Sequence, residues 1–177
     1  MQIRHVLFAM ALVSMSASGC MVDDGADLEA ELGVAESAIV VDGPLYGGNG
    51  GFAFHTASSD PDDKIVSVQV RSGSEIDGLK IRYASGRVES YGGNGGHLQD
   101  QWMIFDDEVL VGISGKFGSR VDSLRFYTST GRVSQKYGGN GGNTFFSTFV
   151  PGGSTILGFQ GRDGSRIDKI GLVWDHP

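Results

Sequence analysis

Cysteine is almost absent from this chain. Its 177 residues hold a single one, Cys20, which excludes a disulfide framework and any zinc site built on several thiolates. Proline is scarce, at four residues, and no Gly-x-y period appears. Collagen and proline-rich linkers are excluded with it. The one sustained apolar run, Val6–Val13, is well short of the ~18 residues expected of a spanning helix. Basic charge is thin as well. The formal net charge is −7, yet residues 21–42 carry seven acids and no Lys or Arg. Removing those acids and Arg4 leaves 14 acidic and 13 basic residues in 43–177, a net of −1. No basic stripe remains for a nucleic acid to follow, and DNA or RNA partners are excluded on that ground.

What is present points to one globular domain behind an address. Hydrophobic residues make up 40% and charged residues 20%, the balance of a chain that folds around a closed core. Arg4, the short apolar run and the small residues Ser16-Ala17-Ser18-Gly19 read as an export leader over 1–19. Small residues directly before Cys20 also resemble a bacterial lipoprotein box, so Cys20 is expected to be lipidated as the first mature residue. Cleavage nearby, with Cys20 a spare thiol, is the alternative. Residues 20–38 read as an acidic, solvated tether, and 39–177 as the folded domain. The expected location is the bacterial cell envelope or surface, with a lipid anchor as the sole membrane contact, or the exterior if no lipid is attached.

Glycine is abundant, at 29 residues, more than twice the usual ~7%. Its placement is periodic. Tyr-Gly-Gly-Asn-Gly-Gly occurs at Tyr46–Gly51, Tyr91–Gly96 and Tyr137–Gly142, at spacings of 45 and 46 residues. A second motif keeps step: Gly73-Ser74-Glu75-Ile76-Asp77, Gly118-Ser119-Arg120-Val121-Asp122 and Gly164-Ser165-Arg166-Ile167-Asp168. Two unrelated motifs on one period establish a threefold internal repeat. Between them the chain alternates as strands do, in Ile65–Val70, Leu79–Tyr83 and Leu124–Tyr127, with hairpin turns expected at Ser85-Gly86 and Thr130-Gly131. About four strands per repeat, the first supplied by Ile39-Val40-Val41, give an all-β fold of three sheets. Phe126 and Phe159 are expected in a shared core.

Gly-Gly-Asn-Gly-Gly exposes backbone N–H groups with no side chain in the way. The Asp of the second motif presents an acceptor of several hydrogen bonds beside further N–H groups. That pairing suits vicinal hydroxyls, which both donate and accept. A phosphate loop is not supported, because no Lys-Ser/Thr and no helix follows. His55, His97 and His176 share no motif, and the aspartates recur singly rather than as a close pair, so neither a triad, a metal cluster nor a glycosidase dyad is indicated. Asp60-Pro61-Asp62-Asp63 has too little of a calcium loop and reads as a hairpin turn. Neither an enzyme nor a cofactor or metal is expected.

Tyr46–Gly51 and Gly158–Val173 resemble the first glycine loop and the C-terminal ligand loop of jacalin-related lectins, and the resemblance extends over residues 39–175. It implies a β-prism I fold: three four-stranded Greek-key sheets with pseudo-threefold symmetry. It also implies up to three equivalent carbohydrate sites, each joining an Asp turn to the glycine loop that follows it, the last repeat closing on the first. Asp77, with Ser74 and Glu75, would face Gly96. Asp122, with Ser119 and Arg120, would face Gly142. Asp168, with Ser165 and Arg166, would face Gly51. The implied role of each aspartate is to accept from O4 and O6 of a sugar. The two residues after the motif glycine, and the last glycine of the loop, would donate backbone N–H bonds. The implied partners are mannose- or glucose-type glycans, and a homodimer is left open.

Glu75, Arg120 and Arg166 depart from the Tyr, Phe or Val often found at that place in mannose-binding members. As rim arginines they would favour acidic or sulfated polysaccharide; otherwise they point to solvent. A non-binding structural prism is the remaining alternative.

Overall fold

The structure is a computed structural model that describes residues 39–176. The leader, Cys20 and the tether expected over 1–38 lie outside the described residues. The chain lays down β1 (Ile39–Asp42), β2 (Tyr46–Gly47), β3 (Phe52–His55), β4 (Ile65–Ser72) and β5 (Ile76–Tyr83). There follow β6 (Val88–Gly92), β7 (His97–Leu98), β8 (Trp102–Met103), β9 (Leu110–Phe117) and β10 (Val121–Thr128). The last are β11 (Tyr137–Gly138), β12 (Thr144–Phe149), β13 (Ile156–Asp163) and β14 (Ile167–His176). There is no helix among the described residues.

These strands form three antiparallel sheets. The first runs β1-β14-β13-β3, with β2 beside β1 on β14; the second β6-β5-β4-β7, with β8 beside β7 on β4; the third β11-β10-β9-β12. Fourteen strands therefore fill twelve ladder places. Gly43-Pro44 interrupts one edge strand, where Pro has no N–H to give a ladder, and Gln99–Gln101 interrupts another. The first sheet is closed by both ends of the domain, β1 pairing with β14 from Ile39↔His176 to Asp42↔Val173.

Alternation along the central strands sends Val68, Val70, Leu79 and Ile81 inward from the second sheet. Ile113, Leu124 and Phe126 come from the third, and Phe159, Ile170 and Leu172 from the first, into one cluster. Phe126 and Phe159 meet edge to face at the centre, 6.3 Å apart at 89°, as expected of the two core aromatics. Ser85-Gly86 and Thr130-Gly131 do turn the β5–β6 and β10–β11 hairpins, with N–H bonds from Gly86 to Tyr83 and from Gly131 to Thr128, both 3.0 Å.

Asp60–Asp63 is a turn but not a hairpin. It lies on the crossover between β3 of the first sheet and β4 of the second, closed by the Asp63 N–H on the Asp60 carbonyl at 3.1 Å. Asp63 then accepts from the Ser85 N–H at 2.8 Å and the Ser85 hydroxyl at 3.0 Å, clasping the crossover to the next hairpin. Glu108 repeats the device on the second crossover, accepting from the Thr130 hydroxyl at 2.6 Å and pairing with Arg132 at 2.9 Å.

Candidate functional site

Each sheet has the same local plan. Its two central strands are joined by the Gly-Ser-x-x-Asp turn, and its two edge strands by the glycine loop that crosses over that turn. The turn is tied by the N–H of its glycine on the carbonyl two residues on: Gly73 to Glu75, Gly118 to Arg120 and Gly164 to Arg166, at 3.1, 3.0 and 3.0 Å. Directly after it the ladder slips. Arg71 faces Gly78 but Ser72 faces Ile76, which leaves Asp77 as an extra residue; Asp122 and Asp168 are skipped in the same way. A bulge re-aims the side chain it carries, and here it turns each aspartate toward the glycine loop instead of along the strand.

The loop is pinned to the same residue. Gly48, Gly93 and Gly139 donate their N–H groups to the backbone carbonyls of Asp168, Asp77 and Asp122, at 2.8, 2.8 and 3.0 Å. The next-to-last and last glycines then lie against the carboxylate. A Cβ added to Gly50, Gly51, Gly95, Gly96, Gly141 or Gly142 would fall under 3.0 Å from an oxygen of the facing aspartate. The last glycines also need the left-handed conformation, at φ +59°, +57° and +72° for Gly51, Gly96 and Gly142, which side chains resist. Beneath the loops, Tyr46 stacks on Phe146 at 4.5 Å and Tyr91 on Phe54 at 4.1 Å, which joins neighbouring sheets.

Three such cradles surround one axis and share walls. A Cβ on Gly48, Gly93 or Gly139 would strike the backbone of Ser119, Ser165 or Ser74, each in the turn of a neighbouring cradle. Toward the axis, Arg166 Nη1 meets Glu75 Oε2 at 2.7 Å and Arg120 Nη1 meets it at 3.3 Å. Arg166 Nε also lies 3.3 Å from Asp77 Oδ1, and Arg120 Nε 3.6 Å from Asp168 Oδ1. Asp77 and Asp168 are buried, whereas Asp122 is half-buried. Burial pushes the Asp122 carboxyl above its ordinary value and the Glu75 charge pushes the same way, against the Gly118 N–H, Arg120 and Lys116. The cradles are thus alike in backbone and unlike in charge. They are shallow as well. Two surface concavities, of about 270 and 210 Å³, lie on the outer faces of the second and third sheets, and none of the three aspartates lines them.

A family model described as the jacalin-like lectin domain matches residues 44–173. The chain belongs to the jacalin-like lectin family. Among solved structures, the wild-type Malaysian banana lectin is 31% identical, with 79% of this chain and 99% of that one covered and a TM-score of 0.64. AcmJRL, a mannose-binding jacalin-related lectin from Ananas comosus, is 29% identical, with coverage of 78% and 97% and a TM-score of 0.63. The Calsepa lectin, solved with a bisected glycan, is 27% identical, with coverage of 78% and 99% and a TM-score of 0.64. No curated protein matches by sequence. The three sheets are those of the β-prism, and the lectin belongs among non-enzymatic carbohydrate binders.

In this lectin the turn residues Ser74, Glu75 and Asp77 sit with Gly96, Ser119, Arg120 and Asp122 with Gly142, and Ser165, Arg166 and Asp168 with Gly51. Two expectations need correction. Glu75, Arg120 and Arg166 do not point freely to solvent; they converge on the axis because the three turns do, and opposite charges pair there. For the same reason the three cradles are not equivalent. Sequence reasoning also missed Arg71 and Arg162. Arg71 Nη1 donates to the Asn94 carbonyl at 3.2 Å, and Arg162 Nε and Nη2 to the Gly50 and Gly51 carbonyls at 2.7 Å each. The signal was available: Arg71, Lys116 and Arg162 each stand two residues before the motif glycine.

Proposed function

We propose that this lectin binds mannose- or glucose-type glycans in the three cradles, with Asp77, Asp122 and Asp168 as hydroxyl acceptors and no metal. One observation carries the reading: in all three repeats a bulged aspartate lies against two glycines, with no side chain between its carboxylate and the loop backbone. Around it, backbone N–H groups of Ser74-Glu75, Ser119-Arg120 and Ser165-Arg166 stand outside the ladders, and those of Gly51, Gly96 and Gly142 close the other side. A carboxylate accepts from two adjacent hydroxyls while amides donate to their oxygens, the pattern of a vicinal diol. The mannose-binding and glycan-bound relatives support the choice of sugar.

The alternative of acidic or sulfated polysaccharide loses its ground, since Arg120 and Arg166 are engaged by Glu75, Asp168 and Asp77. A glycan array tests the reading, with wild type beside the triple variant Asp77→Asn, Asp122→Asn, Asp168→Asn. Mannose- or glucose-terminated glycans are bound by the first and by none of the folded triple variant. Binding that survives all three changes would defeat it, and a folded wild type that binds nothing would favour a scaffold.

We further propose, from the leader-like residues 1–19 and the small residues before Cys20, that the lectin is exported and anchored by lipid on Cys20. Radiolabelled palmitate should be incorporated by wild type and not by Cys20→Ser; an unlabelled wild type would defeat the anchor.

A further inference from the structure

The position after the turn serine is the one place where the three turns differ in charge, and its side chains act across repeats. Arg166 belongs to the turn of the Asp168 cradle but reaches Asp77, with Nε 3.3 Å from Oδ1. Arg120 belongs to the Asp122 cradle but reaches Asp168, at 3.6 Å. Glu75 holds the corresponding place in the Asp77 cradle, so that place sends Asp122 no guanidinium, and the Glu75 charge opposes those of Arg120 and Lys116 on it. Two of the three turns thus send an arginine to a neighbouring aspartate, and the third carries a carboxylate at that place. Glu75 also accepts from both arginines on the axis, so it fixes the two guanidiniums that serve the other cradles.

A second set of contacts, on the outer side of the loops, also differs between the cradles. Arg162 holds two carbonyls of the Gly50-Gly51 segment and Arg71 holds one, at Asn94. At the third position stands Lys116, a point charge without the fork that spans two carbonyls. The cradle of Asp122 therefore has Glu75 at the place from which the others receive an arginine, and its loop is held not by a guanidinium of the central strand but by Lys136, at the Gly139 carbonyl (3.0 Å) and the Asn140 side chain.

We propose that Arg166 and Arg120 are positioning residues for the sugar sites of Asp77 and Asp168 in the neighbouring repeats, and that the Asp122–Gly142 site, where Glu75 stands at the place that supplies the others with a guanidinium, is the weakest of the three. The inference rests on reading the cradles as sugar sites. A carboxylate has about four lone-pair directions, so a guanidinium on one flank of Oδ1 restricts its rotation and leaves acceptors for two hydroxyls. Asp122 is instead pushed toward its neutral form by burial and by Glu75, against the Gly118 N–H, Arg120 of its own turn and Lys116 of the paired strand.

Titration of the ¹⁵N-labelled lectin with methyl α-mannoside, following the amides of Gly51, Gly96 and Gly142, reads the three sites separately. Gly51 and Gly96 are expected to respond with dissociation constants about two- to fivefold below that of Gly142. Arg166→Ala weakens the Gly96 response by about the same factor and spares Gly51, in whose own turn it lies. Arg120→Ala weakens Gly51 and spares Gly142, and Arg166→Lys restores part of the loss at Gly96. The Gly142 response also fails first as the pH is lowered. Equal responses in wild type, a tighter Gly96 response in Arg166→Ala, or an effect confined to Gly51 would overturn the inference and leave the lectin reading standing. If no amide responds to methyl α-mannoside or methyl α-glucoside, both fall together.

Discussion

Asp77, Asp122 and Asp168 owe their position to a single skipped ladder partner, and the glycines facing them owe theirs to the carboxylates. Gly96 has no room for a methyl group beside Asp77 and sits at φ +57°. Gly96→Ala is therefore expected to cost about 1–2 kcal/mol from the left-handed backbone alone, and to remove binding at that cradle. Gly73 provides the internal comparison. Its nearest atoms to an added Cβ, Asp77 Oδ2 and Gly96 Cα, are both 3.8 Å away, so Gly73→Ala should leave stability within about 0.5 kcal/mol of wild type. Thermal unfolding of the two variants side by side checks this. An equal loss in both would mean that the loops are intolerant for a reason other than the carboxylate contact.

At the scale of elements, the three-sheet plan was legible because two motifs with one period can only be satisfied by three copies of one unit. The pairing of Asp77 with Gly96 followed from the order of turn and loop. Two features were not legible. A bulge adds one residue to a strand whose apolar alternation is already irregular, as Ile76 and Asp77 are both buried, so nothing in the pattern separates it from a turn. The pairing of Glu75 with Arg120 and Arg166 joins residues 45 and 91 positions apart and depends on where the sheets bring their turns.

The first crossover was also read only as a hairpin turn and the second not at all, although Asp63 and Glu108 clasp them to the hairpins. Burial pushes both carboxyls up, but hydrogen bonds and arginine charge outweigh it and leave both below their ordinary values: Ser85, Arg87 and Ser58 for Asp63, and Thr130, Phe105, Thr128 and Arg132 for Glu108. Folded, these groups hold a proton less tightly than unfolded. Their stabilisation is full above the ordinary values of 3.8 and 4.5 and is lost as the pH falls through the folded ones. Asp122, shifted upward, works in the opposite sense. Glu108→Gln should melt lower than wild type at neutral pH, by an amount corresponding to about 1–3 kcal/mol, and its melting temperature should fall less steeply on acidification. Parallel pH profiles for the two proteins would show that the clasp is not a source of acid sensitivity.

For the whole molecule, the consequence of threefold symmetry is that all sites open at one end. The Asp turns precede β5, β10 and β14, while the Asp63 and Glu108 clasps hold the hairpins that follow β5 and β10, at the far end of those strands. A surface crowded with sugar can therefore meet several cradles at once, and the second contact is made at the effective concentration set by the first. Such linkage raises avidity by about 10²–10⁴ without any new contact. The lectin should thus hold a mannan-coated sensor far more tightly than its affinity for methyl α-mannoside suggests. Replacing one aspartate at a time separates the two effects. Asp77→Asn should slow nothing in the encounter but hasten release from the coated surface, while the sites left intact keep their affinity for the free monosaccharide. Release as slow as wild type from a variant with two aspartates replaced would mean that the cradles act one at a time, and that the symmetry serves the fold rather than the binding.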